Sequence, residues 1–195
     1  MFNQVLKAVM LMSFASGFLV SGANAMGNGP YMKTAGLTSQ PIGHYEYCER
    51  YSSDCNIKSW NAKATKLTKQ RWSDLVEINN FSNNTIRPVT DMEIFNREEV
   101  WIYPETQGDC EDYVLMKRHM LMQRGWPASS LLITVVRQSN GEGHAVLTVR
   151  TDKADYILDN LDGKIRAWNE TDYTYLKRQS ERHSGRWIDI KDYKV

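Results

Sequence analysis

The sequence has few cysteines, no excess charge of one sign, and no long apolar segment beyond its first residues. Its 24 Lys and Arg nearly balance 23 Asp and Glu, so the formal net charge is +1. Without a basic stripe, the chain lacks the electrostatic footprint that nucleic acids or anionic membrane surfaces require of their partners. No apolar run of spanning length follows residue 25, so the mature chain is predicted to have no membrane span.

The apolar run at residues 8–20 has the features of an export signal. Lys7 gives a positive start, the run is short for a bilayer span, and Ala23-Asn24-Ala25 fits a small-residue cleavage site. An uncleaved N-terminal anchor is the alternative. We expect three regions in an exported protein that is periplasmic or secreted: a signal peptide at 1–25, an irregular Gly- and Pro-rich lead-in at 26–43, and one folded domain at 44–195.

The chain has only three cysteines, Cys48, Cys55 and Cys110. Cys48 and Cys55 lie close together in a polar segment, and an oxidising compartment favours a disulfide between them. Two free thiols, or a metal site shared with His44, are the alternatives. Pairing leaves Cys110 as the odd cysteine, which in an exported protein indicates a reactive thiol or an intermolecular bond.

The stretch Gly108-Asp109-Cys110-Glu111-Asp112-Tyr113 predicts a helix that begins at this odd cysteine. Asp109 is a favoured N-cap residue, and Gly125 followed by Pro127 marks the helix end. A thiol at a helix N-terminus feels the positive end of the macrodipole, which favours the nucleophilic thiolate. The segment therefore predicts Cys110 as a catalytic nucleophile.

A histidine and an aspartate follow in the order expected of a thiol hydrolase or acyltransferase, His144 and then Asp159. The turn at 151–154 joins two predicted strands and places residue 144 or 146 opposite Asp159. Either register puts His144 and Asp159 on one face of the sheet, since side chains alternate with period two. A central helix packed on that face would present Cys110 to the imidazole.

Hydrophobic periodicity places helices in the first half of the chain and strands in the second, which is typical of an α+β domain. N-terminal helices are expected, with the central helix packed on an antiparallel sheet. A break is expected among the asparagines at 79–84. The predicted elements are a helix at 63–80 and strands at 131–137, 144–150, 155–161, 164–168 and 186–190.

Each member of the candidate triad has a structural alternative. Cys110 can be a small buried hydrophobe, His144 an ordinary strand-end residue, and Asp159 a turn former. Other histidines also compete as the base, but one on the cysteine's own helix lies about 13 Å along the axis, too far for proton transfer. The competing histidines are His44, His119 and His183.

Three carboxylates flank the candidate nucleophile, at Asp109, Glu111 and Asp112. Acids favour the first turn of a helix, which is their structural explanation. They also raise the pKa of a neighbouring thiol and oppose thiolate formation. A bound cation would cancel that penalty, and carboxylate oxygens are ligands that calcium prefers, so the sequence predicts a calcium site here.

Three motifs, taken together, resemble the bacterial transglutaminase-like cysteine peptidases: Gly-Asp-Cys-Glu-Asp-Tyr at 108–113, Gly-His-Ala-Val-Leu at 143–147, and Tyr-Ile-Leu-Asp-Asn-Leu at 156–161. The resemblance extends from about residue 41 onward. It implies a papain-like, transglutaminase-like fold with Cys110 as nucleophile, His144 as base and Asp159 as orienting acid. It also implies calcium bound through Asp109, Glu111 and Asp112.

The resemblance further implies a protein substrate in the cell envelope and regulation by an inner-membrane receptor that senses a cyclic dinucleotide. The Cys48/Cys55 pair and the Gly-rich lead-in depart from the adhesin-processing members, so the substrate and the receptor are less firmly implied than the chemistry. A transglutaminase or cell-wall amidase with the same triad, or a binding module without turnover, are the alternative functions. The intact Cys-His-Asp set favours an enzyme.

Overall fold

The computed structural model describes residues 29–191, which form a mixed helix and sheet structure. The helices are α1 (Ile42–Arg50), α2 (Ser52–Cys55), α3 (Lys69–Thr85), α4 (Asp91–Phe95) and α5 (Cys110–Gln123). Short 3₁₀ turns occupy Ala128–Ser130 and Trp168–Glu170. The strands are β1 (Lys33–Thr38), β2 (Arg87–Pro88), β3 (Gln107–Gly108), β4 (Leu131–Arg137), β5 (Gly143–Arg150), β6 (Asp155–Leu158), β7 (Arg166–Ala167), β8 (Thr174–Ser180) and β9 (His183–Lys191).

Seven strands form one antiparallel sheet in the order β1-β9-β8-β4-β5-β6-β7. The central strands β4 and β5 are buried on both faces, because α5 and α3 cover one face while a smaller cluster covers the other. Ala145, Leu147 and Val149 of β5 join the core beneath α5, whereas Val146 joins the cluster on the far face. This double burial explains the near-continuous apolar run of β4.

The two long helices α3 and α5 pack side by side in opposite directions. At one end the Tyr113 hydroxyl donates to the carbonyl of Ile86, and at the other end Arg124 pairs with Glu77 at 2.6 Å. Trp126, just beyond α5, packs in the core, and the Arg71 guanidinium lies over its ring at 4.8 Å. The start of α5 therefore lies against the end of α3.

The predicted α+β class and the central helix on an antiparallel sheet are confirmed. The predicted break in the first long helix is wrong, since α3 continues to Thr85. Asn79 and Asn83 donate from their side-chain amides to carbonyls of a distant loop, and these tertiary hydrogen bonds outweigh their low helix propensity. The helix also begins later than predicted, at Lys69, where Thr68 accepts from the Arg71 backbone N–H.

The lead-in at 26–43 is not irregular throughout, because residues 33–38 form β1 and pair with β9 at the edge of the sheet. The strand is mostly exposed and contains a bulge, so its sequence lacks the alternation that marks a half-buried strand. Strand β8 was also missing from the prediction, since its Lys, Arg and Gln residues mask a buried Tyr175. The predicted signal peptide lies outside the described residues. None of the helices in the described range is long and apolar enough to cross a membrane.

Candidate active site

Cys110 is the first residue of α5 and is partly exposed at the helix start. Asp109 occupies the N-cap position, but its carboxylate makes no capping hydrogen bond and instead accepts from the Asp91 backbone N–H at 3.2 Å. The thiol donates to Glu111 Oε2 at 3.1 Å. Burial, together with the Glu111 carboxylate, raises the pKa of the Cys110 thiol well above its usual range, although the Ala145 backbone N–H opposes the change.

His144 and Asp159 form a buried hydrogen-bonded pair, with His144 Nε2 at 2.8 Å from Asp159 Oδ1. An ionised carboxylate only accepts, so Nε2 carries the proton and Nδ1 is the nitrogen available to a thiol. Asp159 also accepts from the Tyr173 hydroxyl at 2.6 Å and the Leu161 backbone N–H at 3.0 Å. Burial by itself raises the pKa of Asp159, but these hydrogen bonds and the imidazole outweigh it and lower the pKa.

The register of β5 and β6 explains how this pair forms. Leu147 lies opposite Leu158, so continuing the ladder places Asp159 opposite Val146 and diagonal to His144, one of the two predicted registers. The expected position of the helix is wrong, however. Val146 and Ile157 share a face of the sheet with the pair, and that face packs away from α5, so Cys110 comes near the end of β5, where the Ala145 N–H contacts the thiol.

Cys110 and His144 line one open cleft of about 360 Å³. Its walls come from the segment before α4, the start of β5 and the loop after β6, and include Pro88, Val89, Thr90, Gln138, Asn160 and Leu161. Leu161 is 58% exposed and gives the cleft an apolar rim.

The competing histidines lie elsewhere in the described structure. His119 is exposed on α5 and contacts Gln123, and His183 accepts from the Gly185 backbone N–H at the start of β9. His44 is fully buried beside the disulfide. None of the three lines the cleft at Cys110, which leaves His144 as the histidine that does.

The predicted Cys48–Cys55 pair is a disulfide in the structure, and Cys110 is free. The bond joins α1 to α2 and packs against His44, whose Nδ1 lies 3.5 Å from Cys48 Sγ. The same ring is surrounded by Trp187, Gln179 and other residues of the main core. The pair therefore fastens the N-terminal helices to β8 and β9.

Three carboxylates, Asp91, Asp109 and Glu111, place one oxygen each within 4.8 Å of one another beside the thiol. Asp91 Oδ1 and Asp109 Oδ1 are buried and have no hydrogen-bond partner among the described residues. Burial and the Asp109 charge raise the pKa of Glu111 to about 9, and burial raises the pKa of Asp91 to about 6. Clustered acids that resist ionisation are the donor set that a divalent cation neutralises.

Asp112, the third predicted ligand, is not among the three clustered carboxylates, although its buried Oδ2 also has no hydrogen-bond partner among the described residues. Its Oδ1 accepts from the Ile102 backbone N–H at 2.9 Å, and its side chain packs against Gly108. A Cβ at Gly108 would lie 2.4 Å from Asp112 Oδ2, so this contact requires glycine in the Gly-Asp-Cys motif. Asp112 therefore braces the loop before α5, while Asp91 takes its place in the acidic cluster.

Sequence reasoning missed two residues of this site, Asp91 and Tyr173. Asp91 follows Thr90, whose capping box with Glu93 is a visible helix-start signal that could have placed Asp91 on a short helix. Tyr173 precedes the unpredicted strand β8, and no local pattern connects it with Asp159.

Comparison with known proteins gives a family match and a structural likeness. The family model described as bacterial transglutaminase-like cysteine proteinase BTLCP matches residues 34–195. No curated protein matches the sequence. The chain is also similar to solved structures of LapG from Legionella pneumophila, with TM-scores just above 0.5.

The calcium-bound LapG structure is 24% identical, covering 64% of this chain and 74% of that chain, with a TM-score of 0.52. A second LapG structure is 26% identical, covering 63% and 70%, with a TM-score of 0.52. An EGTA-treated form is 23% identical, covering 64% and 69%, with a TM-score of 0.51. These similarities show that the chain has the same fold as LapG.

Proposed function

Since this chain belongs to the bacterial transglutaminase-like cysteine proteinases and is therefore a cysteine peptidase with a protein substrate, we propose that Cys110, His144 and Asp159 are its catalytic triad. The observation that supports this assignment is the 2.8 Å contact between His144 and Asp159 at the edge of the cleft that Cys110 lines. A carboxylate behind an imidazole, with a cysteine beside both, is the arrangement of a thiol hydrolase.

In the first half of the reaction, the Cys110 sulfur attacks the peptide carbonyl carbon while His144 Nδ1 takes the thiol proton. The C–N bond then breaks as the imidazolium gives that proton to the leaving amine, which leaves a thioester on Cys110. In the second half His144 takes a proton from water as the hydroxyl attacks the thioester carbon. The C–S bond then breaks, the carboxylic acid product leaves, and the imidazolium returns its proton to the Cys110 sulfur. Asp159 holds the proton-carrying Nε2 throughout and stabilises the imidazolium.

The backbone N–H of Cys110 lies at the first position of α5, where no intrahelical partner is available to it. It is therefore a donor for the oxyanion that forms during both halves of the reaction. The helix dipole adds to this effect, because its positive end points to the same place.

Calcium fits the acidic cluster, and we infer that Asp91, Asp109 and Glu111 hold it. The fit rests on the two buried carboxylate oxygens without partners and on the three oxygens gathered within 4.8 Å. The ion would neutralise the carboxylates that raise the pKa of the thiol. The calcium-bound state of LapG from Legionella pneumophila, a protein of the same fold, supports the inference.

Titration calorimetry tests the calcium site directly. Calcium should bind the mature protein with measurable heat, and magnesium should bind poorly because it demands near-octahedral geometry. Glu111→Gln should weaken calcium binding, while Asp112→Asn, a matched control outside the cluster, should retain it. Equal losses in the two variants, or absence of calcium binding to the wild type, would contradict the assignment.

We infer from the N-terminal signal that the protein is exported and that its substrate is a protein of the cell envelope. A receptor in the inner membrane, as the resemblance implies, would restrain it. The test is to incubate envelope fractions with the wild-type enzyme or Cys110→Ala and to sequence new N-termini by mass spectrometry. Cleavage products present only with the wild type support the proposal, and identical peptide sets overturn it.

A further inference from the structure

Five buried polar atoms beside the proposed triad have no hydrogen-bond partner in the described part of the chain. They lie on α3, on α5 and in the loop after β6: Asn79 Oδ1, Ser82 Oγ, Asn83 Oδ1, Lys117 Nζ and Asn160 Oδ1. The set contains one ammonium donor and four oxygen acceptors. Buried polar groups are rarely left without partners, so this combination requires an explanation.

The antiparallel packing of the two helices brings Lys117 level with two of these residues on α3. Tyr113 on α5 meets Ile86 on α3, and Arg124 meets Glu77, so Lys117 falls between these contacts, level with Ser82 and Asn83. Lys117 lies one helical turn beyond Tyr113, and its ammonium is 5.8 Å from that ring. Its side chain therefore points between the helices.

The loop that carries Asp159 closes the third side of this region. The Asn83 side-chain amide donates to the Asp159 carbonyl at 2.8 Å, and the Asn79 amide donates to the Gly163 carbonyl at 3.2 Å. Both amides use their nitrogens for the loop, which leaves their oxygens directed elsewhere. Those two oxygens are among the atoms without partners.

The Lys117 side chain is fully buried, and no described carboxylate pairs with its ammonium. Burial lowers the pKa of Lys117 to about 7, although the charge of Asp159 acts in the opposite direction. An uncompensated buried ammonium is costly, and an internal water is the usual partner for polar groups that cannot reach one another. Three N–H donors facing amide and hydroxyl oxygens match such a water's needs.

We propose that Lys117 is a positioning residue of the peptidase, linked through internal water to the free oxygens of the α3 asparagines. Lys117 fixes the rotamers of Asn79 and Asn83, and these hold the loop so that Asp159 stays in line with His144. This inference rests on the proposed triad, because it assigns Lys117 an effect on the Asp159–His144 pair. It also explains why an amine occupies a fully buried position of α5 between Tyr113 and Leu121.

The test compares Lys117→Met with the wild type by measuring the rate at which iodoacetamide alkylates Cys110 across pH. Methionine fills the space of the lysine stem and removes the ammonium. We expect the rate near neutral pH to fall roughly tenfold, with the midpoint of the profile moved upward by about one unit, because a loosened carboxylate stabilises the imidazolium and hence the thiolate less well.

The opposite sign would overturn the proposal. If Lys117 acted only as a nearby positive charge, its removal would favour the imidazolium and accelerate alkylation. An unchanged profile would overturn it as well. Leu121→Ala, one turn further along the same buried face of α5, is the matched control and should lower the melting temperature without moving the pH profile.

Coupling between residues gives a second measurement. If Lys117 acts through Asn83, the double variant Lys117→Met/Asn83→Ala should lose no more reactivity than the more damaging single variant, and additive losses would contradict the linkage. His144→Ala separates the two proposals. A pH profile insensitive to His144→Ala refutes the triad itself, whereas a profile sensitive to His144 but not to Lys117 refutes only the positioning role.

Discussion

The molecule contains two buried histidines beside cysteines, and their surroundings differ in one decisive respect. His44 Nδ1 lies 3.5 Å from Cys48 Sγ, yet that cysteine is locked in a disulfide. His144 lines a cleft with the free Cys110 and has the Asp159 carboxylate behind it. Both histidines have a cysteine in their surroundings, but only His144 has a carboxylate on the other side of its ring.

Donors surround His44, whereas an acceptor supports His144. Trp187 donates its indole N–H to His44 Nδ1 at 3.2 Å, and the Gln179 amide nitrogen lies 3.1 Å from Nε2. The orientation of that amide is fixed, because its oxygen accepts from the Ile133 backbone N–H. Burial first, and then the charge of Arg118, lower the pKa of His44 to about 3. A ring that cannot become charged serves packing and cannot shuttle protons.

The largest effect is expected at the two kinds of cysteine. Cys110→Ala should abolish peptide-bond cleavage, because no other residue supplies the nucleophile. In the wild-type protein without reductant, iodoacetamide should modify Cys110 alone, as mass spectrometry of tryptic peptides can show. Modification of Cys48 or Cys55 under those conditions would remove the distinction between the two sites.

The next largest effect separates the histidines themselves. His144→Ala should lower the cleavage rate roughly 10²- to 10⁴-fold, the usual contribution of a general base, with little change in melting temperature. His44→Ala should instead cost about 2 kcal/mol or more of stability, because it leaves a cavity and an unpaired Trp187 indole N–H. The rate per folded molecule should stay near wild type. A damaging His44→Ala or His183→Ala with normal stability would show that the base is misassigned.

A smaller effect tests the acceptor behind His144. Asp159→Asn keeps the shape but removes the charge that stabilises the imidazolium, so alkylation of Cys110 near neutral pH should slow roughly tenfold to a thousandfold. Tyr173→Phe removes one hydrogen bond to the same carboxylate and should slow it about fivefold. A larger effect for Tyr173→Phe than for Asp159→Asn would point to the hydroxyl as the main orienting group.

The smallest effect concerns the acids beside Cys110, which have no counterpart at His44. The pKa of Glu111 is about 9 in the folded state against its usual 4.5, so the folded protein binds more protons between these values. Its free energy of unfolding therefore falls as pH rises through this range. In EGTA the melting temperature should drop from about pH 5 to about pH 9, and calcium should reduce the drop.

The matched variant for this measurement is Glu111→Gln, which should lessen the fall in EGTA and weaken the response to calcium, while Asp91 and Asp112, whose pKa values are raised to about 6 and about 8, retain part of the fall. Differential scanning fluorimetry over the pH series is sufficient. A wild-type curve that rises with pH in EGTA would show that the clustered acids are ionised and stabilising without a cation.

The sequence alone predicts those parts of the site that follow one another along a local pattern. The helix start at Cys110, the strand at His144 and the period-two relation to Asp159 are all local, and the sheet pairing follows from them. Asp91, Tyr173 and Lys117 depend on how distant segments pack, and no window of sequence contains that information. Lys117 is the exception, because the sequence alone shows a lysine on the helix face that Tyr113 and Leu121 share.

The same reason explains the two missed strands and the misplaced face. β1 and β8 form because they pair with strands far along the chain, and their sequences do not alternate between apolar and polar residues. The prediction for α5 was based on the assumption that the helix covers the face of the sheet that carries His144 and Asp159. The structure brings Cys110 to the end of β5 instead, which only the three-dimensional packing of α5 decides.

The pairing of β1 with β9 has a consequence for how the chain assembles. These strands lie at opposite extremes of the described sequence, so the edge of the sheet closes only after β9 has formed. Contacts of such separation are slow to form, because a long loop must close before they contribute. By contrast, β4, β5 and β6, which carry His144 and lead into Asp159, are neighbours in sequence. The pair at His144 and Asp159 can therefore assemble early, while the β1–β9 edge is the last part to close.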